Sequence, residues 1–269
     1  MSQTHHIAFE SFQNSLAENA ERNALYDKTG APITYASFEK YIAGAWHELD
    51  RLGIEKGDNI LVAVPMSLEL YAIMEAIFAK GATAIFLDPW MKGRKMEQVI
   101  RTVKPTLFIV TKKLSRVTWL LTSTWSIKKW RIKDLTPSEM PYTIANVTDD
   151  DNALITFTSG TSGQPKGANR TFDFLHAQEK SLRDHLATSS PSVDYTNFPI
   201  VGLVNFTLGN TVVIPRLNLM KIHKANENEV LDQITTNGVT RLIVSPALLR
   251  KILRKLPADT IIKEVITGG

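Results

Sequence analysis

Lys166 is the sole charged residue of a ten-residue run, Thr158 to Gly167, that reads TSGTSGQPKG. The residue types in this run suit the holding of a phosphate. Gly160, Gly163 and Gly167 can take positive φ and let backbone N–H groups approach an anion closely. Ser159, Thr161 and Ser162 add hydroxyl donors, Lys166 adds a mobile positive charge, and Pro165 limits the freedom of the turn. Directly before the run, Ala153-Leu154-Ile155-Thr156-Phe157 has the short apolar, partly β-branched pattern of a buried strand. Three familiar motifs do not fit. A Walker A loop fails because Pro165 stands where its second glycine belongs and Gly167 follows the lysine; GxGxxG fails because Thr161 and Ser162 separate Gly160 from Gly163. A GxSxG elbow fails at Gln164. Ser/Gly clusters are more often solvated turns, but a lysine, a proline and three glycines directly behind a buried strand weigh against that here.

These ten residues resemble the signature loop of the adenylate-forming superfamily: acyl- and aryl-CoA ligases, peptide-synthetase adenylation domains and luciferases. Ser162 stands where that loop usually has threonine or serine. Other segments resemble the family in the same order: Ile33-Thr34-Tyr35, the turn Leu52-Gly53-Ile54-Glu55-Lys56-Gly57-Asp58, and Ala79-Lys80-Gly81-Ala82 through Leu87-Asp88-Pro89. The likeness therefore runs from about residue 10 to the last residue.

The resemblance implies a two-step reaction. A carboxylate oxygen attacks the α-phosphorus of ATP to give acyl-AMP and pyrophosphate. A second nucleophile, commonly the thiol of CoA and alternatively a carrier protein or the acid's own hydroxyl in a lactone-forming cyclisation, then displaces AMP. The substrate it implies is a fatty or other apolar acid, with Mg²⁺ spreading the triphosphate charge. Thr158, Ser159, Thr161, Ser162 and Lys166 would contact phosphate while Gly160, Gly163 and Gly167 make room, and Lys166 is the one candidate catalytic residue. Gly268 and Gly269 would border adenine. Asn197 to Gly202 stands where the family has an aromatic-rich segment lining the acid pocket, so Phe198, Val201 and Gly202 are candidates for that wall, with plain core packing as the competing reading. No general base is assigned, since a carboxylate is already ionised at pH 7. Many relatives carry a histidine just past the lysine loop; here Thr171-Phe172-Asp173 occupies that stretch.

The elements that must position these residues alternate. Short apolar strands are expected at 60–64, 83–87, 107–110, 153–157, 211–214, 242–244 and 261–266, with helices between them. Thr34, Ser67 and Thr171 are placed to cap helices. This alternation predicts an α/β fold of layered parallel sheets flanked by helices, resembling the N-terminal part of the large domain of acyl-CoA synthetase-like enzymes. By resemblance, residues 1–269 are a partial N-terminal AMP-binding domain; the rest of that domain and the small C-terminal domain would lie beyond Gly269. The expectation is that this stretch alone does not complete the reaction. The alternative from another class is a non-catalytic nucleotide- or acyl-binding remnant, and a third is an unrelated phosphate-binding α/β protein.

Composition sets the remaining bounds. A net charge of +4 suits anionic ligands such as nucleotides but is too small to argue for nucleic acid. The absence of cysteine excludes disulfides, Cys-ligated metal and thiol catalysis. None of the six histidines shows paired metal-ligand spacing, so no metal ligand is assigned. No apolar run approaches the length of a membrane span and the N-terminus lacks a signal pattern, so a cytoplasmic location without stable membrane insertion is expected. Uncovered sheet edges would permit a homodimer. Residues 112–133 differ from the rest: they place Lys112, Lys113, Arg116, Lys128, Lys129, Arg131 and Lys133 around Trp119, Trp125 and Trp130. The expected reading is a solvated basic face whose tryptophans pack on the core. Nucleic acid, a membrane surface, or docking of an acidic carrier or coenzyme are the alternatives.

Overall fold

Where the sequence alternates short apolar runs with amphipathic stretches, the chain forms parallel strands joined by helices, because a parallel pair needs a crossover long enough to return to the same end. A computed structural model describes residues 7–88, 91, 93–116, 118–133, 135–158, 166–256 and 260–268. In chain order the elements are α1 (Ile7–Glu18), β1 (Asn23–Tyr26), β2 (Pro32–Thr34), α2 (Tyr35–Arg51), β3 (Asn59–Ala63), α3 (Leu68–Ala79), β4 (Thr83–Leu87), α4 (Gly93–Val103), β5 (Leu107–Thr111), α5 (Lys112–Ser115), β6 (Lys128–Ile132), β7 (Asn152–Thr158), β8 (Lys166–Thr171), α6 (Phe172–Leu186), β9 (Val193–Thr196), α7 (Pro199–Thr207), β10 (Thr211–Val213), α8 (Glu227–Thr236), β11 (Arg241–Val244), α9 (Pro246–Ile252) and β12 (Glu264–Thr267). The three caps act as their spacing predicts. Thr34 Oγ1 accepts from Ser37 N at 3.2 Å, Ser67 Oγ from Leu70 N at 3.3 Å and Thr171 Oγ1 from Phe174 N at 3.2 Å.

Two units divide the chain. The first takes Lys40–Pro65 and Ala72–Gln178 and holds one six-stranded sheet in the order β6-β5-β3-β4-β7-β8. All its pairs are parallel except β7–β8. Its core gathers Leu61, Ile85, Phe108 and Val110 from the strands with Ile100 of α4. Between β6 and β7 the described chain forms neither helix nor strand and runs as a strap over α2 and the end of α3. Ser138 N donates to Lys40 O at 2.9 Å and Ala145 N to Ala79 O at 2.7 Å, while Lys56 pairs with Asp151 at 2.7 Å. The strap lies so close to α2 that a Cβ on Gly44 would stand 2.0 Å from Thr136 O.

The second unit takes Ala8–Glu39, Met66–Tyr71 and Glu179–Gly269 and holds the sheet β12-β11-β9-β10-β1-β2. Here too only the edge pair β1–β2 is antiparallel. Tyr195, Val213, Leu242 and Val244 pack with Val230 and Ile234 of α8 and with Leu248 and Ile252 of α9. Tyr35 is fully buried and its hydroxyl donates to Asn210 O at 2.7 Å, which gives this tyrosine a structural use. Within the same sheet, buried Arg241 grips buried Asp194 with two bonds, Nε to Oδ1 at 3.0 Å and Nη2 to Oδ2 at 2.5 Å, and gives Nη1 to Leu186 O at 2.7 Å.

The expected layered α/β architecture is present, with one antiparallel edge strand added to each sheet. Five strands were not anticipated: β1, β2, β6, β8 and β9. One expectation is overturned. Trp125 is 66% exposed rather than packed on the core. It follows a 3-10 turn in the β5–β6 connection. Trp130 is partly buried, and the side chain of Trp119 lies outside the described residues.

Candidate functional site

In the first unit the candidate site starts from the end of β7. The β7–β8 register pairs Phe157 with Gly167 and Thr158 with Lys166, so both ends of the signature loop lie at the carboxyl edge of the parallel strands. Ligands of open α/β sheets are bound outside that edge. Asp88, just past β4, gives its backbone N–H to Phe157 O at 3.0 Å and extends the β4–β7 pairing to the same edge. Lys166 is exposed at the first position of β8. Gly167 lies in extended strand, and its missing side chain has a local cause: a Cβ there would stand 2.9 Å from the Phe157 ring. Ser159, Gly160, Thr161, Ser162 and Gly163 lie outside the described residues, as does the side chain of Thr158.

In the second unit the candidate residues also gather at a carboxyl edge. β12 pairs with β11 so that Thr267 stands opposite Val244, and Gly268 follows directly, exposed. One strand further, Asn197 caps the edge by accepting from Ser245 N at 2.9 Å. Phe198 N then donates to Thr196 Oγ1 at 3.1 Å, and Pro199 opens α7 with a fixed φ that suits a first helical turn. Phe198 and Val201 are partly buried against Leu186, Val204 and Ile243, so both do core work where they stand. Gly202 faces Tyr71: a Cβ there would fall 2.1 Å from the Tyr71 hydroxyl oxygen. Gly269 lies outside the described residues.

Tyr71 is the residue at this place that the sequence conceals. Its ring meets Phe206 edge-on at 5.1 Å, as expected for a tyrosine on an apolar helix face. Its hydroxyl is buried without a hydrogen-bond partner, and burial pushes the phenol well above its ordinary range. Buried polar groups are rarely left unpaired, so this hydroxyl against Gly202 marks a place where polar and apolar demands conflict. Nothing in the spacing of Leu68 to Ala79 sets Tyr71 apart from its apolar neighbours. On α6, His176 Nδ1 and Gln178 Oε1 are likewise buried and unpartnered among the described residues.

The first edge thus presents exposed Lys166, and the second presents exposed Gly268 together with partly buried Phe198 and Val201. A family model for AMP-binding enzymes matches residues 12–269. An olefin beta-lactone synthetase of Xanthomonas campestris pv. campestris is 30% identical over 243 residues, covering 84% of this chain and 43% of that protein. One of Stenotrophomonas maltophilia is 29% identical over 227 residues, covering 77% and 41%. Among solved structures, ATP-bound MatB from Rhodopseudomonas palustris superposes with a TM-score of 0.80 at 17% identity, over 97% of this chain and 55% of that one. The o-succinylbenzoate CoA synthetase MenE from Bacillus subtilis, in complex with AMP, gives 0.79 at 19% identity, over 96% and 67%. These structural likenesses concern the fold. The chain spans less than half the length of the two synthetases it matches.

Proposed function

We propose, on the premise that this chain belongs to the family of AMP-binding enzymes, that its protein activates a carboxylic acid with ATP and passes the acyl group to an acceptor. The observation that carries this reading is the β7–β8 register, which sets Lys166 opposite Thr158 at the carboxyl edge of a parallel sheet. Between them the sequence places Gly160, Gly163 and Pro165 among three hydroxyl side chains, with no acid. Held there, the β- and γ-phosphates would be positioned so that pyrophosphate leaves in line as the carboxylate attacks the α-phosphorus. Ser159, Thr161 and Ser162 would donate to phosphate oxygens and Lys166 would offset their charge as it shifts to the leaving group. Such preorganised electrostatics cost no rearrangement at the moment of reaction. Gly268 and Gly269 would leave space beside the adenine, and Phe198, Val201 and Gly202 would form part of the acid's wall.

Mg²⁺ belongs to the same reading as a companion of the nucleotide. The acid is a fatty or other apolar one, in keeping with the apolar surroundings of Phe198 and Val201. The acceptor is most simply the thiol of CoA. The two relatives named olefin beta-lactone synthetase favour a second acceptor, a hydroxyl on the acid itself, whose oxygen would attack the acyl carbon and release AMP as a four-membered lactone closes. Residues 1–269 would supply the triphosphate and acid-binding share of this chemistry and would not complete it alone.

The test is exchange of labelled pyrophosphate into ATP with a panel of apolar acids and their 3-hydroxy counterparts. It is run on this chain alone and on this chain joined to the remaining part of a relative. Exchange in the joined protein that depends on an acid supports the reading; exchange with no acid in the panel overturns it. Release of AMP without added CoA, from 3-hydroxy acids alone, selects the lactone over the thioester.

A further inference from the structure

At the β6 edge of the first sheet, apolar and cationic side chains are exposed together. Leu114, Leu120 and Trp125 are 40%, 61% and 66% exposed within a stretch of twelve residues. An exposed leucine by itself needs no explanation, but three large apolar groups on one connection do. Residues 112–133 carry seven lysines and arginines and no aspartate or glutamate. Lys112, Lys113, Arg116, Arg131 and Lys133 are exposed, and none forms an ion pair among the described residues. These groups ride on a fixed support: α5 packs on β5 and β6, and the two 3-10 turns that follow pack on α5, on each other and on α4.

Beside Trp125 lies a groove of about 540 Å³ that Arg101, Lys104, Thr106, Ser123 and Ser126 help to line. Its lining holds two cations and several hydroxyls; Glu97 stands 3.8 Å from Arg101 and answers part of that charge, whereas Lys104 forms no ion pair among the described residues. Ser123 N donates to Glu97 Oε2 at 2.9 Å and so fixes the connection to α4 at the rim of this groove. Lys104 is the one non-glycine residue with positive φ among the described residues, 44°, in the turn that leads from α4 to this groove.

The combination selects an occupant. Uncompensated positive charge calls for an anionic surface. Leucines give nothing to a nucleotide base, which argues against nucleic acid, where aromatic platforms carry the contact. None of the three apolar side chains lines the groove; they stand outside it. Protruding tryptophan and leucine flanked by lysine and arginine is the arrangement that enters the headgroup layer of a bilayer. No described helix is long and apolar enough to cross a membrane, so such a contact lies on the surface. We propose that the β5–β6 connection seats on an anionic phospholipid surface, with Leu114, Leu120 and Trp125 entering the headgroup layer and one headgroup phosphate taken into the Arg101–Lys104 groove. Since β6 and β8 are the opposite edges of the sheet, the seated face leaves the β7–β8 hairpin uncovered. An enzyme acting on apolar acids would then meet them where they concentrate.

The experiment is co-sedimentation of the chain with vesicles of phosphatidylcholine, and of phosphatidylcholine mixed with phosphatidylglycerol, at low and raised salt. The mixed vesicles are expected to bind the chain at least about tenfold more strongly than neutral ones, and raised salt to weaken that binding. Leu120→Ser/Trp125→Ser should lower partition about tenfold or more, and Lys112→Ser/Lys113→Ser about tenfold. Met220→Ser, an exposed apolar residue of the second unit, should change nothing. Because all these positions are exposed, circular dichroism should be unaltered in each variant. No partition into mixed vesicles overturns the proposal. So does equal partition of wild type and Leu120→Ser/Trp125→Ser, or binding of RNA or an acidic protein by this face without binding to vesicles. None of these readouts depends on turnover, so the proposal can fail while the adenylating reading stands.

Discussion

Two hairpins occupy corresponding places, each joining the antiparallel edge strand of a six-stranded sheet at its carboxyl edge, yet they treat charge differently. In the β1–β2 turn the chain supplies its own anion. Asp27 accepts from Thr29 N at 2.8 Å, Thr29 Oγ1 at 2.6 Å and Ala31 N at 2.9 Å, with Gly30 at φ +90°. Arg216 then closes the turn from outside, donating to Lys28 O and Thr29 O at 2.6 Å each. The β7–β8 turn, by sequence, offers glycines, hydroxyls and Lys166 but contains no carboxylate. The same contrast recurs among the buried acids. Asp194 of the second unit is gripped by Arg241, whereas Glu75 of the first is buried with no partner among the described residues. A place at the carboxyl edge therefore does not make a site. What distinguishes the first unit is that, among the described residues, neither Lys166 nor Glu75 has an oppositely charged partner.

The contrast can be broken at four points. The largest effect is expected where charge is most fully closed. Arg241→Ala would strand the Asp194 carboxylate and should cost about 3–5 kcal/mol in urea unfolding, while Arg241→Met/Asp194→Leu should recover most of it. Recovery by the double change is the result that makes the pair structural; its failure would point to a further role for one of the two. Next comes Lys166→Ala, measured in a protein competent for pyrophosphate exchange. Losing one preorganised contact should raise the barrier by about 2.7–4 kcal/mol, or two to three decades in rate, with the unfolding midpoint unmoved because Lys166 is exposed. Unaltered exchange would remove Lys166 from the chemistry.

Glu75 sharpens the comparison through pH. Burial pushes its carboxyl up to about 8, so between the ordinary glutamate range and pH 8 the folded state holds a proton that the unfolded state has released. Stability should fall as pH rises across that window, by at most about 1.4 kcal/mol per pH unit, and level off above it. Glu75→Gln should flatten the slope; an unchanged slope would mean that Glu75 has a partner after all. Asp27 gives the opposite sign and the smallest effect. Burial raises its carboxyl, but the bonds from Thr29, Ala31 and Gly30 outweigh this and hold it below the usual carboxylate range. Its contribution is present above that range and is lost as pH falls through the lowered value. Asp27→Asn should therefore cost about 1 kcal/mol at neutral pH and nothing in acid; an equal cost at both would show that the turn depends on shape and not on charge.

The legible parts of the sequence were those where local pattern and tertiary need agree. The strands at 83–87 and 107–111 show as apolar runs because both faces are covered, and Thr34, Ser67 and Thr171 could be read as caps because that bond is local. β8 could not be read: Lys-Gly-Ala-Asn-Arg-Thr contains little to bury and becomes strand only by pairing with β7. β6 is an edge strand whose lysines and arginine hide its period. β9 was obscured by Asp194, a charge that belongs in a sheet only because Arg241 waits two strands' worth of chain later in its neighbour. At the candidate site, residue types behind an apolar strand drew notice to Thr158 and Lys166, and the family resemblance to Phe198 and Gly268, but neither pointed to the Tyr71 hydroxyl, whose conflict with Gly202 exists only once the helices meet. The loop's interior and Gly269 lie outside the described residues.

The strap over α2 carries a consequence for how firmly the strand before the signature loop is placed. The segment leading into β7 crosses a helix that ends more than eighty residues earlier in the chain, through a gap that a single methyl at Gly44 would obstruct. The strand that presents the signature loop is thus tethered, through its leading segment, to the surface of α2 and the end of α3. A change far from the loop in both sequence and chemistry can misplace it without touching any residue that meets a ligand.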